Sequence, residues 1–224
     1  MRCRLTPTRP RNWIGWPVWT PATFARISIP PVPAGVSRRA QGAVSNYKNP
    51  PPEPVDHAIG RSRGGLTSKV HLAVDGRGLP LSLLLTAGQA GDNPQLLPVL
   101  DAICVPRRGS GRPRSRPVEV LADKAYSHPS TRAALRGRGI AFTCPERSDQ
   151  VARRAARGSA GGRPPDFDAE TYRQRNTVER CFNRLKQWRG LATRYDKTAL
   201  NYRGGLILAA VVLWTRERDS GDTT

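Results

Sequence analysis

No acidic residue precedes Glu53, no two cysteines share a CxxC spacing, and aromatic residues make up only 6% of the chain. Each shortage removes a class of protein. Cys3, Cys104, Cys144 and Cys181 are scattered, which argues against a zinc module and gives no disulfide framework. The longest strongly apolar run, Leu206 to Trp214, is far short of the ~20 residues a membrane-spanning helix needs. The N-terminus is interrupted by proline and has no continuous apolar stretch, so no secretory signal is read there. A cytoplasmic protein without a membrane partner is the expectation. His57, His71 and His128 lack the mutual spacing of metal ligands, and Ser62 and Ser127 have no partnered His and Asp. The glycines of 60–65 have the wrong spacing for a phosphate loop, with Lys69 too distant from them.

Positive charge is what the chain has in excess. Its 224 residues carry 37 Lys and Arg against 17 Asp and Glu, a formal net charge of +20. Such an excess attracts polyanions, because a cation near a phosphate releases a condensed counterion. Nucleic acid is therefore the first partner to consider, beside the plainer reading of a basic solvated surface. A hydrophobic fraction of 38% with 21 Gly and 21 Pro implies a modest core and a large irregular share.

Residues 1–52 differ from the rest. They hold eight Lys or Arg, no acid, three of the five tryptophans and a closing Pro50-Pro51-Pro52. No stretch sustains a helical or alternating pattern, so a disordered or vestigial segment is expected, either a basic tail or an out-of-frame product. From Gly64 the pattern becomes orderly. Val70, Leu72 and Val74 alternate with Lys69, His71 and Ala73, turn residues follow at Asp75–Gly78, and Leu79 to Thr86 is a second apolar run; this reads as a β-hairpin with His71 partly exposed. Asp92 is placed to cap a short helix. Residues 106–117 form a basic loop, Val118 to Ala122 a strand, residues from Ser127 or His128 to Gly137 a helix, and Ile140 to Cys144 another strand. This strand–helix–strand unit points to parallel pairing in an α/β sheet. Residues 146–166 are partly helical at best; a long helix is predicted from about Asp168 to Trp188 and an apolar one from about Thr198 to Arg216.

On that long helix, Tyr172, Arg175, Glu179 and Lys186 fall within an arc of about 60° at ~100° per residue. Val178, Cys181, Phe182, Leu185 and Trp188 occupy the neighbouring arc and suit the core. The edge thus presents a carboxylate flanked by two cations and a phenol, fit for a metal ligand beside phosphate-binding groups. It equally fits an amphipathic helix with ordinary i,i+4 pairs. Asp123 ends a strand, where α/β folds place ligands, although a turn or cap role is as simple. Two such carboxylates would share divalent metal through hard oxygen ligands.

These residues carry a resemblance. Tyr172-x2-Arg175-x3-Glu179-x6-Lys186 matches the Y-(2)-R-(3)-E-(6)-K signature of DDE transposases of bacterial insertion sequences, particularly the insertion sequence five family. The blocks Gly60 to Leu72, Leu84 to Gln89, Leu121 to Tyr126, Arg175 to Arg180 and Trp188 to Arg194 resemble the family in the same order, across about residues 53–216. The resemblance implies an RNase H-like fold, an α/β mixed sheet with a three-strand antiparallel meander, then parallel strands and flanking helices. It implies a domain at 53–216 between the irregular 1–52 and a polar tail at 217–224. Asp123 and Glu179 become the second and third members of an Asp, Asp, Glu triad, holding two Mg²⁺ (or Mn²⁺) ions. Tyr172, Arg175 and Lys186 become DNA-binding residues at the scissile end, and Arg61 and Arg63 are read as contacts to the DNA backbone. The implied reaction is metal-dependent cleavage of transposon ends and strand transfer into target DNA, by an enzyme of a type that generally acts as a homo-oligomer.

The first Asp of the triad has no counterpart. It belongs on a first strand upstream of Gly60, where no acid precedes Glu53; Glu53 and Asp56 lie too close to the block, and Asp75 in the hairpin turn is a weak substitute. The expectation is a truncated or frameshifted copy, its first strand missing and its N-terminal arm disordered, with impaired activity. The alternative is a catalytically inactive DNA-binding remnant. A basic RNA-binding protein with disordered arms would leave the ordered blocks unexplained.

Overall fold

The computed structural model describes residues 22–29, 57–62, 65–107 and 110–221. Strand β1 is Ala22–Ile29, β2 is Gly60–Ser62, β3 is Gly65–Val74 and β4 is Pro80–Ala87. Helix α1 (Leu96–Asp101) leads to β5 (Glu119–Ala122), α2 (Pro129–Gly137) and β6 (Ala141–Thr143). The rest is helical: α3 (Ser148–Ala156), α4 (Ala169–Arg173), α5 (Asn176–Leu185), α6 (Arg189–Ala192) and α7 (Ala199–Gly221).

The β3–β4 hairpin forms because Asp75 organises its turn. Its carboxylate accepts from the amides of Arg77 at 3.0 Å and Leu79 at 2.7 Å. Gly78, at φ 84°, supplies the left-handed residue there. Strand β3 then pairs antiparallel with both β4 and β1. Strand β1 in turn pairs in parallel with β5, and β5 with β6. The meander β4–β3–β1 followed by two parallel strands is the RNase H-like order expected.

One part of that expectation is corrected. The first strand is not missing: β1 lies inside the segment read as irregular and joins the meander to the parallel pair. Its sequence carries the β-branched Thr23, Ile27 and Ile29, bracketed by Pro21 and Pro30, and it is too short and too isolated by proline to show a period. Strand formation there depends on partners distant in the chain. The expected disorder elsewhere in 1–52 lies outside the described residues.

Helices cover both faces of the sheet. On one side Val70, Leu72, Val74 and Leu83 pack with Val178, Phe182 and Leu185 of α5 and with Tyr202, Leu206 and Leu213 of α7. On the other, Ala73, Val120 and Ala122 pack with Leu96, Val99 and Leu100 of α1 and Leu135 of α2. Two covered faces bury both alternating sets of a strand. His71 is accordingly buried rather than partly exposed, with Nε2 2.9 Å from Thr86 Oγ1. Lys69 is buried too, donating to the Ala90 carbonyl at 2.5 Å and to Asp92 at 3.0 Å. Asp92 therefore spends its carboxylate on Lys69 and makes no side-chain cap to the short turn it precedes.

The predicted long helix is two helices. Between α4 and α5 the amides of Arg175, Thr177 and Val178 reach back three residues instead of four, which tightens the winding and redirects the axis. Thr177 is buried beside Gly78, so the start of α5 is set by packing on the hairpin turn. Residues 146–166 are partly helical, as expected, the helix being Ser148–Ala156.

Arg194 is the most buried cation described, at 0% exposure. Its guanidinium donates to the carbonyls of Asp196 (2.9 Å), Lys197 (2.9 Å) and His57 (2.5 Å) and to Ser68 Oγ, and lies 5.0 Å from the Tyr202 ring centroid. It ties the α6–α7 connection to the start of the sheet. Hydrogen bonds to a charged group contribute about 1.5–3 kcal/mol each before losses. Arg194→Ala should therefore lower the unfolding free energy by roughly 3 kcal/mol or more, and Arg194→Lys, which lacks the planar fork, should recover less than half of it. Urea unfolding of the three proteins measures this; an Arg194→Ala midpoint within error of the parent would refute it.

Candidate active site

Strand β5 carries Val120, Leu121 and Ala122 into the core and releases the chain at Asp123. Asp123 is extended (φ −66°, ψ 157°) and half-buried, and its carboxylate accepts from the Lys124 amide at 2.6 Å. From β6, the Cys144 thiol donates to the Asp123 carbonyl at 3.2 Å. Burial, with a smaller push from the Asp123 charge, lifts that thiol to about 12, so it stays protonated and keeps its role as donor. Helix α2 begins just beyond, with the His128 ring accepting from the Ser130 amide at 3.3 Å and Pro129 in the first turn.

Glu179 sits on the exposed side of α5, whose other side buries Val178, Cys181, Phe182 and Leu185. Its carboxylate accepts from Arg175 Nη2 at 2.5 Å. Arg175 also lies 5.8 Å from the Tyr172 ring centroid, and Phe167 flanks that ring at 5.2 Å. The phenol of Tyr172 is raised above its ordinary range chiefly by burial. Arg175 pulls it down, while the charges of Asp123 and Glu179 push it further up. Asp123 and Glu179, 56 residues apart in the chain (123 to 179), each add a push to that hydroxyl smaller than that of burial.

The sequence-predicted residues are gathered unequally. Arg175 joins Glu179 and the Tyr172 ring, while Asp123 bears on Tyr172 only through its charge. Lys186 caps the far end of α5, exposed, with its stem against a small recess lined by Val70, Phe182, Leu185, Leu191 and Leu206. It is two helical turns from Glu179, about 10 Å along the axis. Arg61 is exposed on β2, and Arg63 lies outside the described residues.

A two-ion centre does not fit what is present. Among the described residues no three His, Cys, Asp or Glu side chains are grouped to hold a metal ion. The parallel register of β1 with β5, with Phe24 opposite Ala122, sets Ala25 next along from that pair and level with Asp123. That is where a third carboxylate would be backed by the sheet, and β1 contains no acid. Asp75 does not stand in. It follows β3 in the hairpin turn, its oxygens are taken by the turn amides and Arg77, and burial outweighs those partners to raise its pKa.

Two contributions were not read from the sequence. Cys144 had been discounted with the other cysteines, and only the adjacency of β5 and β6 brings it to Asp123. The arginine-rich α3 is drawn onto the same end by Gln150, whose amide donates to the Ser127 carbonyl at 3.3 Å. There Arg147 and Arg153 share the single carboxylate of Asp149, and Arg157 is exposed. The basic composition of 146–166 was visible, but not its place beside Asp123.

Comparisons with known proteins show the family. Residues 41–214 match the family described as Transposase DDE domain. A Brucella ovis protein named as the transposase for insertion sequence element IS6501 is 32% identical over 151 residues, 67% of this chain and 100% of that one. A Burkholderia cepacia protein named as the transposase for IS402 is 36% identical over 148 residues, 66% of this chain and 60% of that one. No solved structure matches. No described helix is long and apolar enough to cross a membrane.

Burial separates the cysteines in a way that chemistry can read. Cys104 is exposed, whereas Cys144 and Cys181 are buried with thiols pushed up to about 12. Because the thiolate is the nucleophile, iodoacetamide at pH 8 should label Cys104 within minutes and the other two only after denaturation. Peptide mapping that finds Cys144 alkylated as fast as Cys104 would contradict the placement of β6 beside Asp123.

Proposed function

The chain belongs to the Transposase DDE domain family, and from that membership we propose that it is an insertion-sequence transposase that holds DNA but is deficient in metal-dependent cleavage and strand transfer. The finer assignment to the insertion sequence five family rests on the Tyr172, Arg175, Glu179, Lys186 spacing and belongs to the same proposal. One observation carries the deficiency: β1 occupies the strand position beside Asp123 and is without an acid.

In this reading Asp123 and Glu179 are the surviving carboxylates. A divalent ion held by a complete site of this kind would supply activation of the attacking oxygen and stabilisation of the leaving one. With two acids of three, the chain's own residues still supply other functions. Arg175 holds Glu179 and presents a cation to a phosphate, Tyr172 offers a protonated hydroxyl between the carboxylates, and Lys186, Arg61 and Arg63 meet the DNA backbone. Together with α3, these groups would make duplex binding strongly salt-dependent.

The test is a nicking and strand-transfer assay on transposon-end duplexes with Mg²⁺ or Mn²⁺, run beside a binding assay. Binding is expected without appreciable cleavage. Placing an acid on β1, by Ala25→Asp and in parallel Arg26→Asp to sample both faces of the strand, should raise cleavage at least tenfold in one variant; Asp123→Asn should abolish that gain. Asp75→Asn should change neither binding nor cleavage. Robust cleavage by the unmodified chain, lost on Asp123→Asn, would show that the third acid comes from elsewhere and would end the deficiency reading.

A further inference from the structure

Strand β5 runs toward Asp123, so the loop entering β5 and the end of α2 lie at the opposite end of the sheet. That end is also basic. Residues 105–116 contain five arginines and no acid. At its base the Val105 and Arg114 backbones exchange two hydrogen bonds of 2.9 Å. Arg107 packs against Gly111 at its tip, where φ is 138°. Arg116 donates to the Gly139 carbonyl at 3.3 Å, and Gly139 follows Arg136 in the last turn of α2. Arg138 is tied to Asp101 at 2.6 Å. The nearby acids are thereby engaged, Asp101 by Arg138 and Glu119 by the Thr143 hydroxyl at 2.8 Å. Arg107, Arg112, Arg116 and Arg136 remain exposed, with no carboxylate partner among the described residues.

We propose that Arg107, Arg112, Arg116 and Arg136 form a second duplex-DNA backbone surface, on the end of the sheet remote from the carboxylates, that holds a separate DNA segment. The inference rests on the DNA reading above and extends it to a place that none of the recognised motif residues occupies. Pre-anchored arginines suit phosphates, because the planar fork binds two oxygens and little loop entropy remains to be lost. Nothing in this set points at a groove or a base edge, so the contact is to backbone and independent of sequence. Helix α2, nine residues and about 13 Å long, stands with the sheet between the two ends. A duplex held on these arginines would lie at the end of the sheet away from Asp123, leaving the carboxylate end free for another.

The experiment is a bridging assay with the full chain. One 20-base-pair duplex is immobilised, and capture of a second, fluorescent duplex is measured alongside ordinary one-duplex binding as a function of salt. The quadruple variant R107Q/R112Q/R116Q/R136Q should keep one-duplex binding but lose bridging at least tenfold, with an unchanged sedimentation coefficient and circular dichroism. The log–log salt slope of the bridging step should fall by about 0.9 for each phosphate contact removed. The pair R175Q/K186Q should weaken one-duplex binding instead. Undiminished bridging by the quadruple variant, or no bridging by the unmodified chain, overturns this inference alone. Capture of RNA at this surface in the presence of excess duplex DNA also overturns it. Absence of any duplex binding by the unmodified chain overturns the DNA reading and this surface with it.

Discussion

The backbone ladder through β1 is the constraint on which the rest of the molecule depends. β1 pairs antiparallel with β3 on one edge and parallel with β5 on the other. Without it the hairpin and the parallel pair would be separate pieces, each with an unpaired edge. With it, the sheet can be covered on both faces, and the end of β5 acquires a fixed relation to α5, which packs across β3. No direct bond joins Asp123 and Glu179; the ladder is what sets the end of β5 relative to α5.

The same strand explains how structure and chemistry can part company. Pairing uses main-chain groups that any residue except proline supplies. A metal centre uses particular oxygens at particular places. Ala22–Ile29 satisfies the first requirement and not the second, so the sheet closes while the carboxylate set stays at two. The surroundings are nevertheless those of an anion-binding site: Arg175 and α3 bring cations to that end, and the basic loop before β5 brings them to the other. Some of the described cations therefore lie where the strands end, where side chains can reach a long polyanion without competing for space in the core.

Buried polar groups set the remaining geometry. Arg194 binds the helical layer to the start of the sheet through carbonyl and hydroxyl acceptors, Lys69 and Asp92 hold the loop after β4, and Asp75 shapes the hairpin turn. Each is costly to bury unless its partners are met in full, and each is met. These contacts are long-range in sequence, which is why Asp92 reads locally as a cap and turns out to be an ion-pair partner. His71 is a similar case: alternation alone assigns it to a polar face, but the second helical layer converts that face into core.

What the sequence by itself determined was local or linear: the hairpin and its Asp75 turn, the strand ending at Asp123, the helix begun at Pro129, the apolar side of α5, and the spacing of Tyr172, Arg175, Glu179 and Lys186. These follow from period, propensity and turn chemistry, which neighbours in the chain dictate. Only the tertiary structure decided that Ala22–Ile29 is a central strand, that the long helix breaks before Asn176 where Thr177 packs under Gly78, that Cys144 steadies the Asp123 backbone, and that the arginines divide between two ends of the sheet. Each of those depends on groups distant in the chain being brought together, and strand pairing and burial carry no signature in any one segment.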